Sequence, residues 1–334
     1  MLVDVHIDEL ATPALVVESS LLDRNLDEMA RALPGSRCRP HVKAHKCTAL
    51  ARLQAERGHT AFTCATVAEV EGMARAGLGD DVLLANEVVD VGRLAAAVAT
   101  GARVTVAVDS AETVAAAVAG GVREVVIDVN VGLPRCGCAP ADAGHLAELA
   151  RSNSLAVRGV MGYEGHAVGI EDRDARVAET DRAMALLAQA HGDAGGELIT
   201  AGGTGTYDIN GVATEIQAGS YALMDTAYGK LGLPFALALS IVATVVSVAP
   251  DWAVADCGLK ALGMDHGNPT IPGAAVWFCS DEHVTFAPDQ PLRVGDRVRV
   301  LPAHIDPTVA YHAAMHVVDG DEVVETWPVD LRGW

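Results

Sequence analysis

The stretch from Arg103 to Val129, RVTVAVDSAETVAAAVAGGVREVVIDV, decides how the chain folds. A β-branched run, Arg103 to Val108, leads into an Ala-rich segment, Ala111 to Ala119, and a second β-branched run follows at Glu124 to Val129. Short β-branched runs separated by helical periodicity mark a βαβ unit with parallel strands. Outward from this unit the same rhythm predicts strands at Arg39 to Lys43, Ala61 to Cys64 and Asp81 to Ala85 on one side. On the other it predicts Val157 to Tyr163, Glu197 to Ala201 and Ser220 to Met224. Helical patterns lie between them at Val67 to Ala76, Val91 to Ala99, Ala141 to Ala150 and Ala175 to Ala190. Eight strands close a TIM-type α/β barrel, and about 200 residues is the small end of that fold's range. An open doubly wound sheet fits less well, because no Gly-rich turn follows the first strand.

Past residue 235 the rhythm changes. Ser240 to Val248, Ala253 to Asp256, Ala274 to Cys279 and Arg297 to Leu301 read as strands with no long helical pattern between them. Met315 to Val318 and Val323 to Trp327 flank Asp319-Gly320-Asp321, a hairpin signal. The expected organisation is therefore an eight-stranded α/β barrel over 19–235 and a C-terminal all-β domain over 236–334. Residues 1–18, with a strand at Thr12 to Glu18, are expected to pack with the β-domain.

Composition narrows the function. The 334 residues carry 24 Lys and Arg against 44 Asp and Glu, a net charge of -20. Such a surface repels phosphate backbones and anionic lipid, so neither nucleic acid nor membrane is an expected partner. The longest apolar candidate, Leu231 to Pro250, is broken by Pro234, Ser240 and Ser247, which argues against a membrane span. Seven cysteines, an odd number, and no leader-like pattern at Met1-Leu2-Val3-Asp4 point to free thiols and a cytoplasmic location.

Barrel enzymes place their chemistry at the C-terminal ends of the strands. The first strand ends in Arg39-Pro40-His41-Val42-Lys43-Ala44-His45-Lys46, five cationic or imidazole side chains within eight residues. If extended, His41, Lys43 and His45 share one face. A lysine placed there can form a Schiff base; spacing alone favours a solvated basic turn, since buried lysines are rare. Gly132-Leu133-Pro134-Arg135-Cys136-Gly137 frames an arginine suited to an anionic or phenolate oxygen, or to plain solvent. Met161-Gly162-Tyr163-Glu164-Gly165-His166 offers a phenol, a carboxylate and an imidazole, all acid–base types.

After the seventh strand, Gly202-Gly203-Thr204-Gly205-Thr206-Tyr207 frees backbone N–H groups for a phosphate, and Gly219-Ser220-Tyr221 can complete the cradle. In the β-domain, Pro302-Ala303-His304-Ile305-Asp306-Pro307 sets an imidazole and a carboxylate two residues apart; extended, both face one way and can share a divalent cation, although spacing alone favours a polar loop after a strand. A lysine, an arginine, a tyrosine and a phosphate cradle in one barrel mouth suggest pyridoxal phosphate.

These motifs resemble the D-threonine aldolase / D-serine dehydratase group, a branch of the alanine-racemase-like pyridoxal phosphate enzymes. The resemblance spans nearly the whole chain. Besides the segments above it includes Ala65-Thr66-Val67-Ala68-Glu69-Val70, Ala222-Leu223-Met224-Asp225 and Asp256-Cys257-Gly258-Leu259-Lys260-Ala261-Leu262. It implies that Lys43 carries the cofactor and that Arg135 contacts its ring oxygen. It also implies that Tyr163 lies near the ring, with Gly203, Thr204, Gly205, Ser220 and Tyr221 on the phosphate side. His304 and Asp306 would hold a divalent metal (Mn, Mg or Zn). The group's dehydratases usually carry Cys where this chain has Asp306, and its aldolases carry Asp. In the turn Tyr163 to Gly169 this chain departs from the aldolases, with His166 standing earlier than their basic histidine.

The activity so implied is metal-assisted cleavage of a D-β-hydroxy amino acid, D-threonine-like, to glycine and an aldehyde. Lys43, His166 and Tyr163 are its catalytic candidates. D-serine or D-3-hydroxyaspartate dehydration uses the same residues. A racemase and a non-catalytic cofactor carrier fit less well, the carrier because it lacks the β-domain. The resemblance also implies a homodimer acting on a small D-amino acid.

Overall fold

The structure is a computed structural model describing residues 5–334. The Met1-Leu2-Val3-Asp4 segment, on which the leader reading rests, lies outside the described residues. The chain divides into two compact units. One comprises Met1–Glu28, Ala44–Ala49 and Ser220–Asp330, the other Met29–Lys43, Leu50–Gly219 and Leu331–Trp334.

In chain order the elements begin with β1 (Val5–His6), β2 (Ala14–Glu18), α1 (Ser19–Ala32) and α2 (Thr48–Glu56). The β/α alternation follows: β3 (Phe62–Cys64), α3 (Val67–Arg75), β4 (Val82–Leu84), α4 (Val91–Ala99), β5 (Val104–Val108), α5 (Ala111–Ala119) and β6 (Glu124–Asp128). It continues with α6 (Ala143–Ser152), β7 (Ala156–Gly162), α7 (Arg173–Ala194), β8 (Leu198–Ala201) and β9 (Glu215–Ile216). Local chemistry starts these helices. Thr66 Oγ1 accepts from the Glu69 N–H at α3, and Ser110 and Thr113 form a reciprocal cap at α5.

Strands β3 to β9 form one parallel sheet in sequence order. The buried run Val104 to Val108 shows why they read as continuous apolar segments: a parallel sheet is covered on both faces. Leu83, Ala107, Val126 and Met161 pack together as a core cluster. Residues 38–41 join the two edges. The Arg39 and His41 N–H groups donate to Ile216 O and Ala218 O at 2.9 and 3.1 Å, and the Thr63 N–H donates to Pro40 O at 2.9 Å. The eighth position is thus a bridging segment. The expected strand Arg39 to Lys43 is corrected: Pro40 has no N–H to extend a ladder, and Val42–Ala44 turn into a 3-10 helix. The expected strand Ser220 to Met224 is likewise a 3-10 turn, Ser220–Ala222. There Ser220 O accepts from the Leu223 and Met224 N–H groups, and β9 takes the last sheet position.

Charge closes the N-terminal end of this barrel. Buried Arg39 pairs with Glu215 at 2.7 Å and with Asp81 at 3.2 Å, while Arg158 reaches Asp81 at 2.8 Å and Glu197 at 3.0 Å. Burial alone would raise the Asp81 carboxyl, but hydrogen bonds and charge from Arg158 and Arg39 hold it down at about 2. Chemistry is left to the other end.

The second unit continues with α8 (Thr226–Gly229), β10 (Leu239–Val248), β11 (Ala253–Ala255), β12 (Ala274–Cys279), β13 (Val284–Pro288), β14 (Arg297–Val300), α9 (Ile305–Tyr311), β15 (Ala314–Asp319) and β16 (Glu322–Pro328). The sheet order is β1-β16-β15-β2-β10-β11-β13-β12, with β14 also on β10. Pairing is antiparallel except between β2 and β15. Sequence reading placed the boundary at 235, whereas the compact units divide at Ser220. The Ala238 and Leu239 N–H groups donate to Leu223 O, which ties the 220–224 turn to the start of β10.

Candidate active site

In the barrel unit the expected side chains stand at the C-terminal ends of the sheet. Lys43 lies in the 3-10 turn just past the bridging segment, Arg135 in the loop after β6, and Tyr163 directly after β7. The structure brings these three together. Lys43 Nζ is 5.9 Å and Arg135 Cζ 5.4 Å from the centre of the Tyr163 ring, so two cations share one aromatic ring.

Loop chemistry sets that arrangement. Asn130 accepts from the Gly132 N–H and donates to Leu133 O, both at 3.0 Å, which shapes the turn leading to Arg135. Gly132 has φ +132°, and a Cβ there would come within 2.7 Å of the His166 ring. His166, exposed, therefore packs on the arginine loop from the neighbouring turn. Gly203, Thr204 and Gly205 are buried in the turn after β8. Gly203 adjoins the Tyr163 ring: its Cβ, if present, would lie 3.6 Å from Tyr163 Cε2.

Sequence reasoning missed an acid pair beside Arg135. Burial pushes the Asp128 carboxyl well above the usual range, and the charge and hydrogen bond of Glu87 push it further, against the pull of Arg135. Glu87 also hydrogen-bonds the Cys136 thiol, which with burial is raised to about 11. The available signal was positional, since Asp128 ends β6 and Glu87 follows β4.

In the sheet unit His304 occupies the N-cap position of α9 without a side-chain cap bond and Asp306 lies in its first turn, so the expected extended geometry is corrected to a helix start. The cause is Asp225, whose buried carboxylate accepts from the Ile305 N–H at 3.1 Å and the Tyr228 N–H at 2.9 Å. The two side chains still converge, with His304 Nε2 4.0 Å from Asp306 Oδ1. Two further residues join them. Asp265 Oδ2 is 2.7 Å from His304 Nδ1, and His266 stacks on the same imidazole. Asp265, His266 and His304 also present ligand-type atoms within 4.8 Å of one another. Ser220 and Tyr221 belong to this unit and are buried; the Tyr221 ring packs 5.6 Å from that of Phe235.

Residues 17–227 match the family model of the alanine racemase N-terminal domain, and residues 238–318 that of a putative serine dehydratase domain. The chain is 35% identical to 3-hydroxy-D-aspartate aldolase of Paracoccus denitrificans (strain Pd 1222), across 97% of this chain and 93% of that protein. It is 28% identical to D-threo-3-hydroxyaspartate dehydratase of Delftia sp. (strain HT23), across 97% and 98%. The crystal structure of D-threonine aldolase from Filomicrobium marinum superposes with a TM-score of 0.94 at 32% identity, covering 100% of this chain and 98% of that one.

Proposed function

The chain belongs to the alanine-racemase-like enzyme family that includes D-threonine aldolase and 3-hydroxy-D-aspartate aldolase, and we propose that it is a pyridoxal phosphate-dependent lyase cleaving a D-β-hydroxy amino acid, D-threonine-like, to glycine and an aldehyde. The observation that carries this reading is the Lys43 amine and the Arg135 guanidinium set over one Tyr163 ring at the barrel mouth. An amine for covalent attachment, a guanidinium for a phenolate oxygen and a glycine-rich turn form a donor set that fits the cofactor.

When bound, pyridoxal phosphate supplies the sink for the electrons released as the Cα–Cβ bond breaks. Lys43 would hold it through Nζ, Arg135 would donate toward its ring oxygen, and Gly203, Thr204 and Gly205 would serve the phosphate. The Tyr163 ring lies beside both cations and carries a phenol able to relay a proton. His166, propped on Gly132, is the imidazole proposed to take the β-hydroxyl proton. His304 and Asp306 offer one nitrogen and one oxygen, a mix that Mn, Mg or Zn accepts. A cation there would make a bound hydroxyl more acidic.

The aldolase is favoured over dehydration by the oxygen ligand Asp306 and by greater identity to an aldolase than to the dehydratase. The reading includes a homodimer in the cytoplasm, supported for compartment by seven free cysteines. The test is product identification. D-Threonine, pyridoxal phosphate and Mn are incubated with the protein and the mixture is resolved by mass spectrometry. Glycine with acetaldehyde, lost in Lys43→Ala and on chelation, is the expected result. 2-Oxobutyrate with ammonia would make it a dehydratase.

A further inference from the structure

Glu164 follows Tyr163 in the chain and is fully buried, at 0% exposure. All three hydrogen bonds to its carboxylate come from the segment after β8. Oε2 accepts from the Gly202 N–H at 3.1 Å, and Oε1 accepts from Thr206 Oγ1 at 2.7 Å and from Asn210 Nδ2 at 3.3 Å. No lysine or arginine among the described residues pairs with it. A buried carboxylate is costly unless its oxygens are satisfied, and here one short segment satisfies them.

The same carboxylate sets the shape of that segment. Thr206 Oγ1 donates to Glu164 and accepts from the Gly203 N–H at 3.2 Å, while the Thr206 N–H donates to Gly203 O at 3.1 Å. Glu164 thereby fixes which way the Thr206 hydroxyl points. Close packing seals the two turns together, since a Cβ on Gly205 would lie 1.9 Å from Val168 O. Gly203 in turn borders Tyr163, the ring that Lys43 and Arg135 overlie.

We propose that Glu164 is the positioning residue of the phosphate subsite, holding the 202–206 turn in the shape that serves the cofactor phosphate without touching the cofactor. The proposal rests on the cofactor reading above and deepens it. Two effects of Glu164→Gln oppose each other. Removing the negative charge relieves repulsion of a phosphate dianion. The new amide, however, turns an N–H toward a buried donor, Gly202 or Thr206, that has no water to turn to. The geometric loss is expected to win, because an orphaned buried donor bears its full desolvation cost.

The experiment titrates the full-length apo-protein with pyridoxal phosphate and with pyridoxal, following the visible absorbance of the Lys43 adduct. Glu164→Gln is expected to weaken pyridoxal phosphate by about tenfold or more. Pyridoxal affinity should stay near wild type, the orphaned donor should lower the apo-protein melting temperature by about 2–4 °C per kcal/mol lost, and Glu164→Asp should restore part of both losses. Thr206→Val, which removes the bridging hydroxyl, should show the same selective loss if Glu164→Gln fails to fold. Equal weakening of both compounds, or tighter pyridoxal phosphate binding in Glu164→Gln, would overturn the proposal. A wild-type protein forming no adduct with either compound would instead overturn the cofactor reading beneath it.

Discussion

His304 Nδ1 lies 2.7 Å from Asp265 Oδ2, and this hydrogen bond decides which imidazole nitrogen is available. A carboxylate at Nδ1 holds the ring proton there and leaves the Nε2 lone pair for the side facing Asp306 Oδ1. His266, stacked at 4.1 Å with 4° between ring planes, limits rotation of the same ring. Partial burial pushes the Asp265 carboxyl up, but the hydrogen bond and charge of His304 hold it below the usual carboxylate range. Asp265→Asn should weaken Mn binding by about tenfold or more, the scale of partners that orient metal-ligating histidines. Electron paramagnetic resonance of free Mn reads this directly, and unchanged affinity would dismiss the orienting role.

Asp81 should make the barrel acid-sensitive. Its folded pKa of about 2 lies below its ordinary 3.8, so its contribution is complete above about pH 4 and is lost as pH falls toward 2. That difference corresponds to roughly 2 kcal/mol. Asp81→Asn also leaves Arg39 and Arg158 short of a partner, so a loss of about 3–5 kcal/mol is expected at pH 7. Urea unfolding at pH 7 and pH 3 should show the gap between wild type and variant narrowing at the lower pH.

The Glu87 and Asp128 pair has the opposite sign. Asp128 is held above its ordinary 3.8 by burial and then by Glu87, so its protonated form is favoured on folding. Stability should decline as pH rises from about 4 through the raised value. Glu87→Gln removes one cause of the shift and should flatten that decline. Melting temperatures of both proteins at pH 5 and pH 8 would check it, and parallel declines would refute the coupling.

Gly205→Ala should damage the turn proposed to serve the cofactor phosphate. Its Cβ would meet the backbone carbonyl of Val168 at 1.9 Å, and a backbone atom cannot rotate away. The expected cost is about 1–3 kcal/mol, with poorer retention of pyridoxal phosphate on gel filtration. Wild-type melting and full retention would show that the two turns separate freely.

The barrel was legible because its signals are local. Val104 to Val108 and Ala111 to Ala119 each carry their own periodicity, and Ser110 caps its helix within three residues. The lysine turn, the Arg135 loop and the glycine-rich turn were legible for the same reason, each being contiguous. Arg39 to Lys43 was misread because Pro40 permits bridging on both sides without a regular ladder. Ser220 to Met224 was misread because the Ser220 carbonyl accepts from the Leu223 and Met224 N–H groups and closes a turn, which hydropathy does not reveal.

The sequence by itself therefore determined the parallel β/α alternation, the later antiparallel strands, and the segments that bear a lysine, an arginine, a phenol and a histidine–aspartate pair. Periodicity and contiguous motifs are properties of neighbours along the chain. Only the tertiary structure decided that Asp265 orients His304 from 39 residues away, that Glu87 shares an acid pair with Asp128, and that Glu164 takes its donors from beyond β8. Those contacts depend on which loops the folded backbone brings side by side. A buried polar group takes whatever partner that arrangement supplies, and no spacing in the sequence encodes the choice.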